Sequence, residues 1–226
     1  MHIPDGYLSP QTYVPLYAAF AGFMAVALKK VRRTLSARNI PYLGMAAAFS
    51  FLIMMFNVPI PGGTTGHAVG ASIVALVLGP WTAVVAVSVA LIIQAFLFGD
   101  GGITAIGANC FNMAVVMPFV SIAVFKIVRW KASGGWRVYL AAFLSGYIGL
   151  LAAAIVTAVE FGIQPLIASA DGKPLYAPYG MEIALPAMAI EHLVLFGVIE
   201  GLVTLLVLMY FMKNDRDSVY ALREVK

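Results

Sequence analysis

The chain has 226 residues, 62% of them hydrophobic and 11% charged, with a net charge of +4 and a mean hydropathy of +0.94. Soluble chains run nearer half apolar and a quarter charged. No Asp, Glu, Lys or Arg occurs between Asn39 and Gly99, Gly6 and Leu28, Gly101 and Phe125, or Val138 and Val159. No water-soluble surface can be built from such stretches. A soluble enzyme or a nucleic-acid-binding domain is excluded, which leaves a polytopic membrane protein.

Taken in chain order, apolar spans are expected near 11–31, 41–57, 66–79, 81–98, 104–128, 138–161 and 184–212. Between them lie Gly and Pro breaks: Asn57 to Gly63, Gly79-Pro80, Gly99 to Gly102, Ser133 to Gly135, and Gly162 onward. The third span is short for a crossing, which needs roughly 20 apolar residues, and its length also fits a half-helix that dips in and returns. If all seven cross with the N-terminus outside, thirteen of the fourteen Lys and Arg residues fall on the cytoplasmic side, and only Lys173 lies outside. Positive residues gather on that side. The expected fold is therefore all-α and polytopic, with about seven transmembrane helices, N-terminus outside and C-terminus cytoplasmic. The basic residues are topological anchors facing the lipid bilayer, not a nucleic-acid footprint. The start of the chain carries Asp5 and no Lys or Arg before Lys29, unlike a cleavable signal peptide. Residue 1 is expected to open the mature chain.

Enzyme motifs are missing. The sequence has no HExxH, no GxSxG and no GxxxxGK[ST]; the nearest approach to an inverted zinc motif, Met188 to His192, has Met in place of the first His. Any ATP that drives the protein is expected on another chain. The single cysteine, Cys110, sits in an apolar run and reads as core. The remaining chemistry lies in three histidines (His2, His67, His192) and a few acids. Asp5, Asp100, Asp171 and Glu182 fall in outer loops, and Glu160, Glu191 and Glu200 in or near spans.

By that topology His2 and His67 share the outer face, His67 at the mouth of the short span after the Gly-rich stretch Pro61 to Gly66. A histidine at position 2 has a specific capacity. The amine of residue 1, the amide nitrogen of residue 2 and the imidazole Nδ1 of residue 2 close a five- and a six-membered chelate ring on one metal. One corner of a square then remains, for which His67 is the natural donor. The amide must lose its proton, which Ni(II) and Cu(II) drive better than Mg, Ca or Zn. The candidate metal ligands are Met1, His2 and His67. Asp5, Asp100 and Asn109 are candidates to hold those ligands from behind.

Three separated stretches, MHIPDGYLSP from Met1, PGGTTGHAVGAS from Pro61 and FGDGGITAIGANCFNMA from Phe98, make the chain resemble the CbiM/NikM family. These are the substrate-binding membrane subunits of energy-coupling-factor nickel and cobalt transporters. The resemblance implies a non-catalytic capture subunit that takes Ni(II) or Co(II) as transported substrate through Met1, His2 and His67, with no cofactor. It implies a single membrane domain over 1–226: an extra N-terminal helix at 11–31, a six-helix capture core at about 41–212 and a cytoplasmic tail at 213–226. The implied partners are a transmembrane coupling subunit, two cytoplasmic ATPase subunits and a small accessory membrane subunit, all at the cell membrane. Gly44 and Ala48, a small-residue pair opening the second span, are the expected contact with the coupling subunit. Two other readings compete. One is an autonomous secondary carrier using Glu160, Glu191 and Glu200; the other is a membrane-embedded receptor or scaffold.

Overall fold

The computed structural model describes residues 1–34, 40–60 and 64–223. Pro61 to Gly63 of the Gly-rich loop, the 35–39 end of the first basic cluster and the last three residues lie outside them.

The N-terminal segment runs without regular structure to Ser9, whose carbonyl accepts the Thr12 and Tyr13 amides and starts the first helix, with Pro10 at its first position. Helix α1 covers Pro10–Thr34 and ends in Arg32 and Arg33. Helix α2 (Ile40–Met54) leads into a small hairpin, β1 (Val58–Ile60) with β2 (Thr64–Gly66), paired antiparallel with Pro59 opposite Thr65. Then come α3 (Ala71–Leu78), α4 (Pro80–Ile93), α5 (Ile106–Cys110), α6 (Met117–Arg129) and α7 (Trp136–Gly162). A short α8 (Gln164–Ile167) and a second small hairpin, β3 (Ser169–Ala170) with β4 (Lys173–Pro174), precede α9 (Met181–Glu191) and α10 (Gly197–Asn214). The short α11 (Tyr220–Arg223) lies in the tail.

Among the described residues five helical stretches are long and apolar enough to cross a membrane: Pro10–Arg33, Pro80–Phe98, Ile106–Arg129, Trp136–Ile167 and Met181–Asn214. The apolar helix Ile40–Met54 is shorter. Six of the seven expected spans thus have a helix at their place. The third does not have a spanning one. Where 66–79 was expected to run as a span, only the eight residues of α3 are helical, a rise of about 12 Å against a hydrocarbon core of about 30 Å. The cause is local. Gly70 holds φ +73° before the helix, and Gly79-Pro80 ends it and starts the next. A β-carbon on Gly70 would also fall 2.5 Å from the Phe49 ring. Such a short helix is tolerated because Ala71 to Val77 are all buried in protein, away from lipid.

Three helices contain a π-helical turn: Gln94–Phe98 after α4, Phe111–Val116 between α5 and α6, and His192–Phe196 between α9 and α10. Each carries a buried polar side chain, respectively Gln94, Asn112 and His192. No residue pattern in the sequence announces these turns. They widen the helix by one residue and recur at functional sites.

Small residues set the packing of α7 on its neighbours. A β-carbon on Gly146 would meet the Glu200 carbonyl of α10 at 2.7 Å, and one on Gly201 would meet the Phe143 ring and carbonyl at 2.9 Å. These pairs serve the protein's own fold. Gly44 and Ala48 differ: both are exposed, and nothing lies within 4 Å of a β-carbon built on Gly44.

Candidate metal centre

The N-terminal segment is threaded into the protein. Met1 is 1% exposed, His2 4% and Ile3 0%. Its path is set by hydrogen bonds to the loop and helix at 101–109. The Asn109 amide copies a peptide group: its Oδ1 accepts the Ile3 amide at 2.8 Å and its Nδ2 donates to the Ile3 carbonyl at 3.2 Å. That carbonyl also accepts the Gly102 amide at 2.8 Å. Asp5 in turn accepts the Ile103 and Thr104 amides, at 3.1 and 2.8 Å. Only glycine fits at 102, because a β-carbon there would lie 2.3 Å from the Asp5 nitrogen. Gln164 anchors the far end of the segment: its Oε1 accepts the Ser9 amide at 2.9 Å, and its Nε2 donates to Thr12 and to the Glu160 carbonyl.

This threading brings the two histidines together. The His2 and His67 rings stack with centroids 4.6 Å apart and planes 26° from parallel. His67 is 0% exposed, so both rings lie inside the protein rather than at a mouth on the outer face. His67 Nδ1 donates to the Ala68 carbonyl at 3.0 Å, and its Nε2 has no hydrogen-bond partner among the described residues. His2 Nδ1 lies 2.9 Å from one Asp100 carboxylate oxygen, and Asn57 donates to the other at 3.2 Å. Of the three residues expected behind the ligands, Asp100 touches a histidine ring. Asn109 holds the next residue's backbone, and Asp5 holds the loop that covers the segment.

Burial disfavours the charged form of each of these nitrogens. It pushes the Met1 amine down to about 4, despite the nearby Asp100 and Glu191 carboxylates. It lowers His2, and it lowers His67 well below the ordinary histidine range, with the amine and His2 adding to the effect. Neutral amine and imidazole nitrogens carry the lone pairs a transition metal needs. Among the described residues no group of three or more His, Cys, Asp or Glu side chains is arranged to hold a metal.

Two of the three acids expected to serve a carrier accept hydrogen bonds from the protein. Glu200 accepts the Val69 and Gly70 amides at 2.8 and 2.9 Å, and Glu160 accepts from Asn112 at 2.8 Å. His192 is buried, with Nδ1 donating to the Met188 carbonyl at 2.7 Å.

Several long apolar helices packed around a buried pair of imidazoles make this a multi-pass membrane protein. The profile described as "Cobalt uptake substrate-specific transmembrane region" (CbiM) matches residues 2–218, and the chain belongs to this family of nickel and cobalt uptake transport proteins. It is 56% identical over 206 residues to the fused nickel transport protein NikMN of Rhodobacter capsulatus, covering 90% of this chain and 59% of that protein. It thus spans less than two thirds of that relative's length. It is 45% identical to a putative metal transport protein of Methanocaldococcus jannaschii, covering 99% and 96% of the two chains. The crystal structure of a transition metal transporter superposes with a TM-score of 0.90 at 48% identity, covering 94% of this chain and 93% of that one.

Proposed function

We propose that the protein captures Ni(II) or Co(II) through the Met1 amine, the His2 amide nitrogen and Nδ1, and an imidazole nitrogen of His67. The observation that carries this reading is the burial of Met1 and His2 against His67, with the two rings stacked at 4.6 Å. An N-terminus withdrawn from water loses its hydration, and bonds to a metal return that loss. Chelation through His2 Nδ1 requires that ring nitrogen to give up its proton and leave Asp100. The half-buried Asp100 carboxylate then remains beside the ion as a compensating charge.

The transport role follows the same reading. One membrane domain over 1–226 places helix α1 beside a capture core at about 41–212, with N-terminus outside, C-terminus cytoplasmic and seven passes, the third made by the short α3 and the segment before it inside the protein. Thirteen of fourteen basic residues support that orientation. So does the Tyr220 ring of the tail, which packs on Gly79 at the end of α3. The chain acts as the capture subunit of an energy-coupling-factor transporter, beside a transmembrane coupling subunit, two cytoplasmic ATPases and a small accessory membrane subunit. Exposed Gly44 and Ala48 suit close approach of the coupling subunit.

Metal analysis and absorption spectroscopy of the purified full chain test the capture reading, with His67→Ala as the paired variant. One equivalent of Ni(II) or Co(II) with a nitrogen-ligand spectrum, lost in the variant, is the expected result. A chain that binds neither ion sinks it. Uptake into proteoliposomes by this chain alone, without ATPases, would favour a carrier instead.

A further inference from the structure

Helix α3 starts without a cap of its own: Gly70 stands at its N-cap position, and no side chain there accepts a hydrogen bond. The amides at this end would be orphaned in a dry interior. They are met from α10 instead, by Glu200, which is 0% exposed. Its Oε2 takes the Val69 N–H at 2.8 Å and the Gly70 N–H at 2.9 Å.

The Val69 N–H belongs to the same planar peptide unit as the Ala68 carbonyl. That carbonyl accepts His67 Nδ1 at 3.0 Å. A continuous path therefore runs from carboxylate to peptide N–H, through the rigid amide to its C=O, and on to the imidazole N–H. Each bond polarises the next in a low-dielectric interior. The path fixes the ring's tilt and keeps the proton on Nδ1, so that the lone pair lies on the buried, partnerless Nε2. A carboxylate commonly orients a metal-binding imidazole by direct contact; here one peptide unit stands between.

We propose that Glu200 is a positioning residue for the metal centre, acting on His67 through the Ala68–Val69 peptide and tying the ligand loop to α10. This rests on the capture reading above. It also means that movement of α10 bears directly on the His67 loop, while the backbone of the N-terminal segment is held separately, by Asn109 and the 101–104 loop.

The test compares three variants of the full chain in detergent by Ni(II) titration, the absorption spectrum at saturating Ni(II), and thermal stability without metal. Glu200→Gln keeps an acceptor oxygen at the same reach and should stay within about threefold of the wild-type Kd. Glu200→Met keeps the volume but leaves both amides unpaired. It should raise Kd by about ten- to a hundredfold, as loss of outer-shell support does elsewhere, and give a spectrum like that of His67→Ala. Leu208→Ala, about two turns further along α10 and fully buried, controls for stability: it should lower Tm yet leave Kd and spectrum unchanged.

A Glu200→Met chain with lowered Tm but wild-type Kd and spectrum overturns the proposal, as does a Leu208→Ala chain that loses affinity equally. If Glu200→Met does not fold, Glu200→Asp replaces it, with the carboxylate drawn back by one methylene. A wild-type Kd in that variant is again an overturning result. A readout without metal separates this inference from the capture reading. Nitrogen NMR of the three labelled histidines should show His67 as a single Nδ1–H tautomer in the wild type and a mixture in the Glu200 variant. A wild type that binds no Ni(II) defeats the capture reading, and an unchanged tautomer defeats the relay.

Discussion

At the C-terminal end of α3, Leu76 and Val77 pack with Phe125, Val138, Leu208 and Val219 in a cluster made of hydrocarbon. At its N-terminal end, His67 lies with Met1 and His2 in a region where Asn109, Asp5, Gln164 and Glu200 locate main-chain atoms by hydrogen bonds. Apolar packing is non-directional and tolerates volume-conserving exchange, so it fixes stability more tightly than position. Hydrogen bonds between buried groups fix position to a few tenths of an ångström, and leaving one partner unpaired is costly. The histidine end is therefore built for placement and the tail end for cohesion.

Changes at the placement end should act on affinity first. His67→Ala removes a donor from the proposed set and should weaken Ni(II) binding by more than about a hundredfold in a titration, with the helical circular dichroism unchanged. Acetylating the native amine should come next. It removes one donor and cannot fit the buried Met1 position without displacement, so equilibrium dialysis should show a loss of about a hundredfold. Undiminished binding by the acetylated chain would mean a centre made of side chains alone. Asn109→Leu, which leaves the Ile3 amide without its side-chain acceptor, should cost about tenfold in Kd by releasing the residue after His2.

Changes at the cohesion end should reverse the pattern. Leu208→Ala should lower unfolding stability by about 2–5 kcal/mol in a denaturant titration, because the cavity has no polar rescue, and should leave Kd within twofold. Smallest of all should be Ala48→Leu on the exposed face of α2. Neither metal affinity nor Tm should move, while co-purification with the coupling subunit should fall. Equal loss of binding and assembly would place that pair in the subunit's own fold.

Much of this was legible in the letters. Charge-free runs mark the helices, because a charge in hydrocarbon is costly at any position. A histidine at position 2 is enough to propose a chelate, because both rings would close within two residues of one chain. Sequence alone also named Asp100 and Asn109, from polarity near the outer face. It could not say that Asn109 would copy a peptide group for Ile3, a contact between residues 106 apart. Glu200 stood out as an intramembrane acid, and nothing around it told a carrier's ion site from a cap on a helix 130 residues earlier.

The sequence by itself thus determined the class of the protein and the places of six spanning or near-spanning helices, and it supplied the nitrogen donors of the proposed centre, since each rests on local composition or local bonding. Tertiary structure alone decided that α3 stays eight residues long inside the protein and that the N-terminus is buried where charge on the amine and both imidazoles is disfavoured. It also decided that a carboxylate from α10 reaches the His67 loop. Those outcomes depend on which distant surfaces meet and exclude water. The free energy of a buried hydrogen bond or an uncharged amine is set by the dielectric and the partners at the site, which no residue carries in its own neighbourhood along the chain.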